Sequence, residues 1–165
     1  MKKILFLFIV SAALLQADLF LKGDRAFGVV LGGGSVDYGG RKGQEDYTIV
    51  GVSGSYFIID NLSIGLGYRH WFGGSPSIDE VTLPVTYYVP LHPTYRPYGG
   101  LFYRRLFMGS GYDDSNVYGV RAGLTIKTSP QTYIGVGWVQ EYYDDCDDRK
   151  DCSSGYPEIL FSFSF

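Results

Sequence analysis

The stretch Leu62-Ser-Ile-Gly-Leu-Gly-Tyr-Arg69 sets Leu62, Ile64, Leu66 and Tyr68 against Ser63, Gly65, Gly67 and Arg69. A period of two is the signature of a strand with two chemically different faces. Here the polar face tells more than the apolar one. A sheet face open to water normally carries many Lys and Glu side chains. Glycine and serine with a single arginine suit an enclosed, crowded space instead.

The same alternation recurs along the chain, with no segment showing a 3.6-residue period. Eight strands are predicted, at Arg25–Val36, Asp46–Ile58, Leu62–Phe72, Asp79–Val89, Arg96–Phe107, Val117–Lys127, Thr132–Tyr143 and Tyr156–Phe165. In the sixth, Tyr118, Val120, Ala122 and Leu124 oppose Gly119, Arg121, Gly123 and Thr125. The fifth is the least regular; with Leu101 and Tyr103 on its apolar face, Arg104 rather than Arg105 falls on the other side. Composition agrees. Aromatic residues make up 17% of the 165, and the 23 glycines are about twice the roughly 7% of average usage. Mean hydropathy is +0.01. The chain lacks the long apolar runs of a helical membrane protein, its aromatics argue against disorder, and its glycines lack the three-residue period of collagen.

The first residues read as a targeting device. Met1-Lys2-Lys3 is basic, Ile4 to Leu15 is apolar except for Ser11, and Leu15-Gln16-Ala17 ends on a small residue. That order predicts a secretory signal peptide over 1–17 with cleavage after Ala17, leaving one domain over 18–165. The apolar stretch falls short of the ~20 residues of a spanning helix. Loss of Lys2 and Lys3 takes the formal net charge from −3 to −5, which disfavours a nucleic-acid partner. Cys146 and Cys152 are the only cysteines. In an oxidising compartment such a pair predicts a local disulfide, and no metal site is expected because no further Cys or His lies near it.

Short connections (Asp60-Asn61, Pro90–Thr94, Thr128–Gln131) alternate with mostly longer ones (Asp37–Glu45, Gly73–Ser77, Met108–Asn116, Asp144–Gly155). That is the pattern of a meander with one short-turn rim and one loop rim, both termini lying at the former. Since the polar set is mainly Gly, Ser and Thr, the apolar set is expected to face lipid and the small set to fill a lumen. The fold class predicted is therefore an all-β, eight-stranded, antiparallel, up-and-down transmembrane barrel. Aromatics near strand ends are expected to form two interfacial girdles: Tyr56, Tyr87, Tyr88, Tyr95, Tyr133 and Phe165 at the turn rim, and Trp71, Phe72, Phe107, Tyr118, Tyr142 and Tyr143 at the loop rim.

The ending Glu158-Ile-Leu-Phe-Ser-Phe-Ser-Phe165, with Phe57-Ile-Ile-Asp-Asn-Leu-Ser-Ile-Gly-Leu-Gly-Tyr-Arg69 and Arg96-Pro-Tyr-Gly-Gly100, resembles the small bacterial outer-membrane β-barrel family of the outer-membrane protein A barrel domain and outer-membrane protein X. The resemblance covers the whole mature chain and speaks to architecture. It implies an outer-membrane location, periplasmic termini, extracellular longer loops, and a terminal strand whose Phe161, Phe163 and Phe165 are read by the barrel-assembly machinery. No second domain is expected after the last strand.

Candidate chemistry is sparse. The strand phases send Arg69, Glu80, Arg104, Arg121, Glu141 and Glu158 into the lumen, where three cations and three carboxylates can neutralise one another as a plug. The loop Asp144-Asp-Cys-Asp-Asp-Arg-Lys-Asp-Cys152 reads first as a solvated acidic tip; the alternative is that Asp144, Asp145, Asp147, Asp148 and Asp151 meet a hard cation or cations held by lipopolysaccharide, without the spacing of an EF-hand. Some such barrels modify lipid A, either deacylating it with a Ser-His-Glu set in which His and Ser stand two residues apart or transferring a palmitoyl chain. Here Phe72 follows His70 at that spacing and His92 lies in a turn, so catalysis is not expected. Gly65/Gly67 and Gly135/Gly137 recur within strands and are no phosphate-binding fingerprint, so no cofactor is expected. The expected role is structural and surface-interacting, with outer-membrane lipid and lipopolysaccharide as partners. The alternative is a narrow porin-like channel or a transporter of small hydrophobic molecules.

Overall fold

Inside a bilayer an unpaired sheet edge exposes N–H and C=O groups at a cost of several kcal/mol each, so a strand-rich chain can cross only by closing on itself. This chain does so. The structure, a computed structural model, describes residues 20–37, 44–74, 77–109, 114–144 and 152–165. Its strands are β1 (Arg25–Asp37), β2 (Gln44–Ile59), β3 (Leu62–Phe72), β4 (Ile78–Tyr88), β5 (Tyr95–Met108), β6 (Ser115–Lys127), β7 (Thr132–Tyr143) and β8 (Ser153–Ser164). They follow one another around a closed antiparallel barrel in chain order. The sequence-predicted strands differ from these by three residues or fewer at their ends.

Closure joins β8 to β1 from Ala26 opposite Ser164 to Gly32 opposite Glu158. At the turn rim Arg25 N donates to Phe165 O at 3.2 Å and Phe165 N donates to Arg25 O at 2.8 Å. Both ends of the barrel-forming chain therefore meet at one rim. Registers run Ser162, Gly28, Ser53, Gly67, Thr82, Arg104, Val117, Tyr143 around the wall. The last step, Tyr143 N to Cys152 O at 3.0 Å, returns to the residue that precedes β8, ten residues from Ser162. Eight strands with that stagger give a tilt of ~40° and a radius of ~8 Å, narrow enough for side chains to fill.

Alternation sorts the chain as that radius requires. Leu66 (58% exposed), Leu101 (65%), Val136 and Trp138 lie on the outside, with Phe27, Leu83, Val120 and Phe161 on the same surface. The opposite parity is buried in the lumen. Toward the loops it forms an apolar cluster of Tyr47, Ile49, Trp71, Ile78, Phe102, Leu106, Val117, Val139, Tyr143 and Tyr156. Toward the turns lies a second cluster of Phe20, Ala26, Val30, Phe57, Tyr88, Tyr98, Tyr133 and Leu160.

The girdles need one correction. Tyr56, Tyr87, Tyr95 and Phe165 at the turn rim, and Phe72, Phe107, Tyr118 and Tyr142 at the loop rim, are exposed outside. Tyr88, Tyr133, Trp71 and Tyr143 are buried inside. Nearness to a strand end sets height along the barrel, whereas parity sets the face, and these four share the parity of the lumen set.

Residues before β1 add a stopper that strand periodicity did not reveal. Phe20 is buried at the turn end of the lumen, 4.7 Å from the Tyr88 ring and 5.0 Å from that of Tyr133, between centroids. It sits at φ 76°, a left-handed value unusual for a bulky residue. Asn61 N donates to Phe20 O at 2.7 Å, Gly23 N to Phe57 O at 2.9 Å and Lys22 N to Asp60 Oδ1 at 2.8 Å, which hold it there.

Two adjacent glycines test the assignment of faces. A Cβ on Gly100 would meet Val85 O at 2.6 Å, whereas one on Gly99 meets nothing within 4 Å. Gly100→Ala is expected to lower stability by about 1–3 kcal/mol through overpacking, and Gly99→Ala to leave it unchanged or slightly raised. Urea-unfolding midpoints of the two variants in one detergent check this.

Candidate functional site

Six ionisable side chains share the middle of the lumen. Each occupies an inward position, and four face glycine on a neighbouring strand. Arg69 lies opposite Gly51, Arg121 opposite Gly100, Glu141 opposite Gly119, and Glu158 opposite both Gly32 and Gly137. A Cβ on Gly51 would collide with the Arg69 side chain. Glycine is thus what gives a long charged side chain room to lie across a narrow interior.

The charges form one alternating chain. Arg121 Nη2 contacts Glu158 Oε1 at 3.0 Å, and Glu158 Oε2 accepts from Arg69 Nη2 at 2.9 Å. Arg69 Nε lies 3.4 Å from Glu80 Oε1, and Arg104 Nε 2.8 Å from the same oxygen. Arg104 then donates to Glu141. All six are buried, with Glu80 and Arg104 at 0% exposure. The chain runs from Arg121, on the turn side, to Glu141, on the loop side.

Neutral groups complete it, and sequence reading did not assign them this part. The Tyr156 hydroxyl accepts from Arg69 Nη1 at 3.1 Å and from Arg104 Nη1 at 2.9 Å. Trp71 Nε1 donates to Glu80 Oε2 at 2.9 Å, Thr82 Oγ1 to Glu80 Oε1 at 2.7 Å, and the Tyr143 hydroxyl to Glu141 Oε1 at 3.0 Å. The available signal was parity. Trp71, Thr82, Tyr143 and Tyr156 each stand two residues from a lumen charge on the same strand. Arg104 also lies over the Phe102 ring at 4.3 Å. Removing a charge from water costs several kcal/mol, and only pairing together with further hydrogen bonds offsets that.

The remaining candidates fall elsewhere. Asp144 is exposed at the loop rim; Asp145, Asp147, Asp148, Asp151 and Cys146 lie outside the described residues, as do residues 1–17. Among the described residues, no group of three or more His, Cys, Asp or Glu could hold a metal ion. Phe161 and Phe165 are exposed on the outer wall beside the partly exposed Phe163. His70 faces outward, its Nδ1 2.7 Å from Asp79 Oδ1, and Tyr68 also donates to Asp79. His92 stacks on Tyr95 with ring centroids 4.3 Å apart. Among the described residues neither histidine bonds to a Ser, Thr or Cys side chain. Arg96 at the turn mouth, not among the expected lumen charges, lies over the Phe20 ring at 4.6 Å and donates to Asn61.

A closed barrel with an apolar outside and a charged, filled inside is an integral β-barrel membrane protein of the bacterial outer-membrane type. Solved structures agree on the fold. Neisserial surface protein A superposes with a TM-score of 0.68 at 17% identity, over 87% of this chain and 98% of that one. The N-terminal β-barrel domain of Pseudomonas aeruginosa OprF gives 0.62 at 15%, over 87% and 98%. Ail, the attachment invasion locus protein of Yersinia pestis, gives 0.53 at 12%, over 88% and 100%. No family model matches the chain, and no curated protein sequence matches it. The chain has the fold of the small eight-stranded outer-membrane barrels, and its apolar wall suits it to lipid.

Neighbouring arginines separate a lumen role from a surface one. Arg104→Met leaves Glu80 and Glu141 buried without their shared cation and is expected to cost about 3–5 kcal/mol. Arg105, half-exposed and 3.3 Å from Asp114, is expected to lose less than about 1 kcal/mol on the same change. Equilibrium urea unfolding in lipid vesicles measures both.

Proposed function

We propose that this protein is a non-catalytic structural component of the outer membrane, with a plugged lumen and a loop rim that meets partners outside the cell. The observation that carries the reading is Arg104, fully buried and held between Glu80 and Glu141 across the lumen. A wide aqueous path would need this pair of contacts to open, and the aromatic clusters on either side would have to part as well. The non-catalytic reading rests on the sequence, in which Phe72 rather than a serine stands two residues after His70.

Further parts of the reading follow from the sequence. Residues 1–17 act as the cleavable signal, Cys146 and Cys152 form a bridge that pins the acidic loop, and the five aspartates of that loop meet divalent cations at the lipopolysaccharide surface. The outer wall meets outer-membrane lipid, and β8, with Phe161, Phe163 and Phe165, engages the assembly machinery. Attachment, which the name of Ail describes for that protein, is one form the outward role takes.

The full chain, folded in detergent and inserted into a planar bilayer, is expected to be electrically silent and to shift in gel mobility on heating. Discrete conductance steps would overturn the plug and favour the narrow-channel reading. N-terminal sequencing of protein from isolated outer membranes is expected to begin at Asp18.

A further inference from the structure

Below the charge chain, on its turn side, lies a cavity of about 40 Å³ with a mixed polar and apolar lining. Its lining residues include the hydroxyl-bearing Ser53, Ser63, Thr86 and Ser162, the cations Arg69 and Arg121, and apolar side chains such as Val30 and Leu160. None of its lining residues is Asp or Glu. A hydroxyl can turn its hydrogen toward whatever it faces, and a guanidinium can only donate. The cavity can therefore present donors to its contents, and its two charged lining residues are both cations that share Glu158 as counter-ion.

The order of the charges points the same way. Along the chain Arg121–Glu158–Arg69–Glu80–Arg104–Glu141, each interior member has an opposite charge on both sides. Arg121 stands at one end and has only Glu158. At the other end Glu141 receives the Tyr143 hydroxyl at 3.0 Å. Arg121 is 8% exposed, and its Nε has no hydrogen-bond partner among the described protein groups. The Tyr98 ring covers one side of the guanidinium, 5.4 Å from its carbon. A buried N–H donor without a partner is costly, and at the positive end of an alternating row it favours a negative ligand.

We propose that this cavity binds one small monovalent anion of halide size, held by Arg121 and the surrounding hydroxyls, at the positive end of the charge chain. The volume fits that class. At roughly 10–15 Å³ per water, about 40 Å³ has room for a halide ion with a water or two beside it. The layer of Phe20, Tyr88 and Tyr133 closes the site from the turn mouth, so the ion enters while the barrel folds.

The test folds the full chain in bromide, with chloride excluded, and crystallises it for diffraction at the bromine edge. The expected result is one anomalous peak inside the cavity, within hydrogen-bond reach of Arg121 Nε. Maps without an anomalous peak there overturn the proposal, whatever water density they contain. Thermal unfolding gives a second reading, because an anion bound only to the folded state raises Tm with its concentration. Protein folded in chloride is expected to melt higher than protein folded in gluconate at equal ionic strength. Thr86→Val, which leaves all six charges in place, is expected to shrink that difference. Equal melting of the native protein in the two salts counts against the site.

Discussion

The ladder between β8 and β1, ending in the reciprocal hydrogen bonds of Arg25 and Phe165, turns a meander into a closed wall on which the rest of the molecule depends. Closure satisfies the backbone in a medium with no water to do so. It also fixes the strand stagger and hence a barrel of ~8 Å radius with a still narrower lumen. A lumen that narrow must be filled, and inward positions divide accordingly between glycine, which makes room, and large side chains, which take it. Arg69 across from Gly51 and Arg121 across from Gly100 are instances of this one rule.

Filling the interior with charge brings its own constraint. An isolated guanidinium or carboxylate there would be far too costly, so each needs a partner within reach. Strand register provides it. Arg69 and Glu80 face each other across β3 and β4, and Thr82 faces Arg104 across β4 and β5. Glu158 comes from the last strand to join Arg69 and Arg121. Aromatic hydroxyl and indole groups then take up further hydrogen-bonding capacity. The polar layer is sealed by an apolar cluster toward each rim, which keeps it away from bulk water.

Much of this is legible in the sequence, because period-two alternation reports face directly. The inward placement of Arg104 and the outward placement of Leu101 both followed from parity on β5, the least regular strand. Legibility failed where height was mistaken for face, as with Trp71 and Tyr88, whose place near a strand end suggested a girdle. It failed again at Phe20, which precedes the first strand and has no alternation to report on it. Its burial depends on three rings from β2, β4 and β7 that converge only after closure.

The sequence by itself determined the number of strands, their faces and the six charges bound for the interior, because each of these is a local property of alternation and composition. Only the tertiary structure decided the pairing order within that set, which leaves Arg121 at one end of an alternating row beside a small cavity lined in part by hydroxyls. It alone decided that Phe20 and Arg96 close the turn mouth. The physical reason is stagger: residues from six strands come level in the lumen only when the wall has closed, and the offset that brings them level belongs to no single strand.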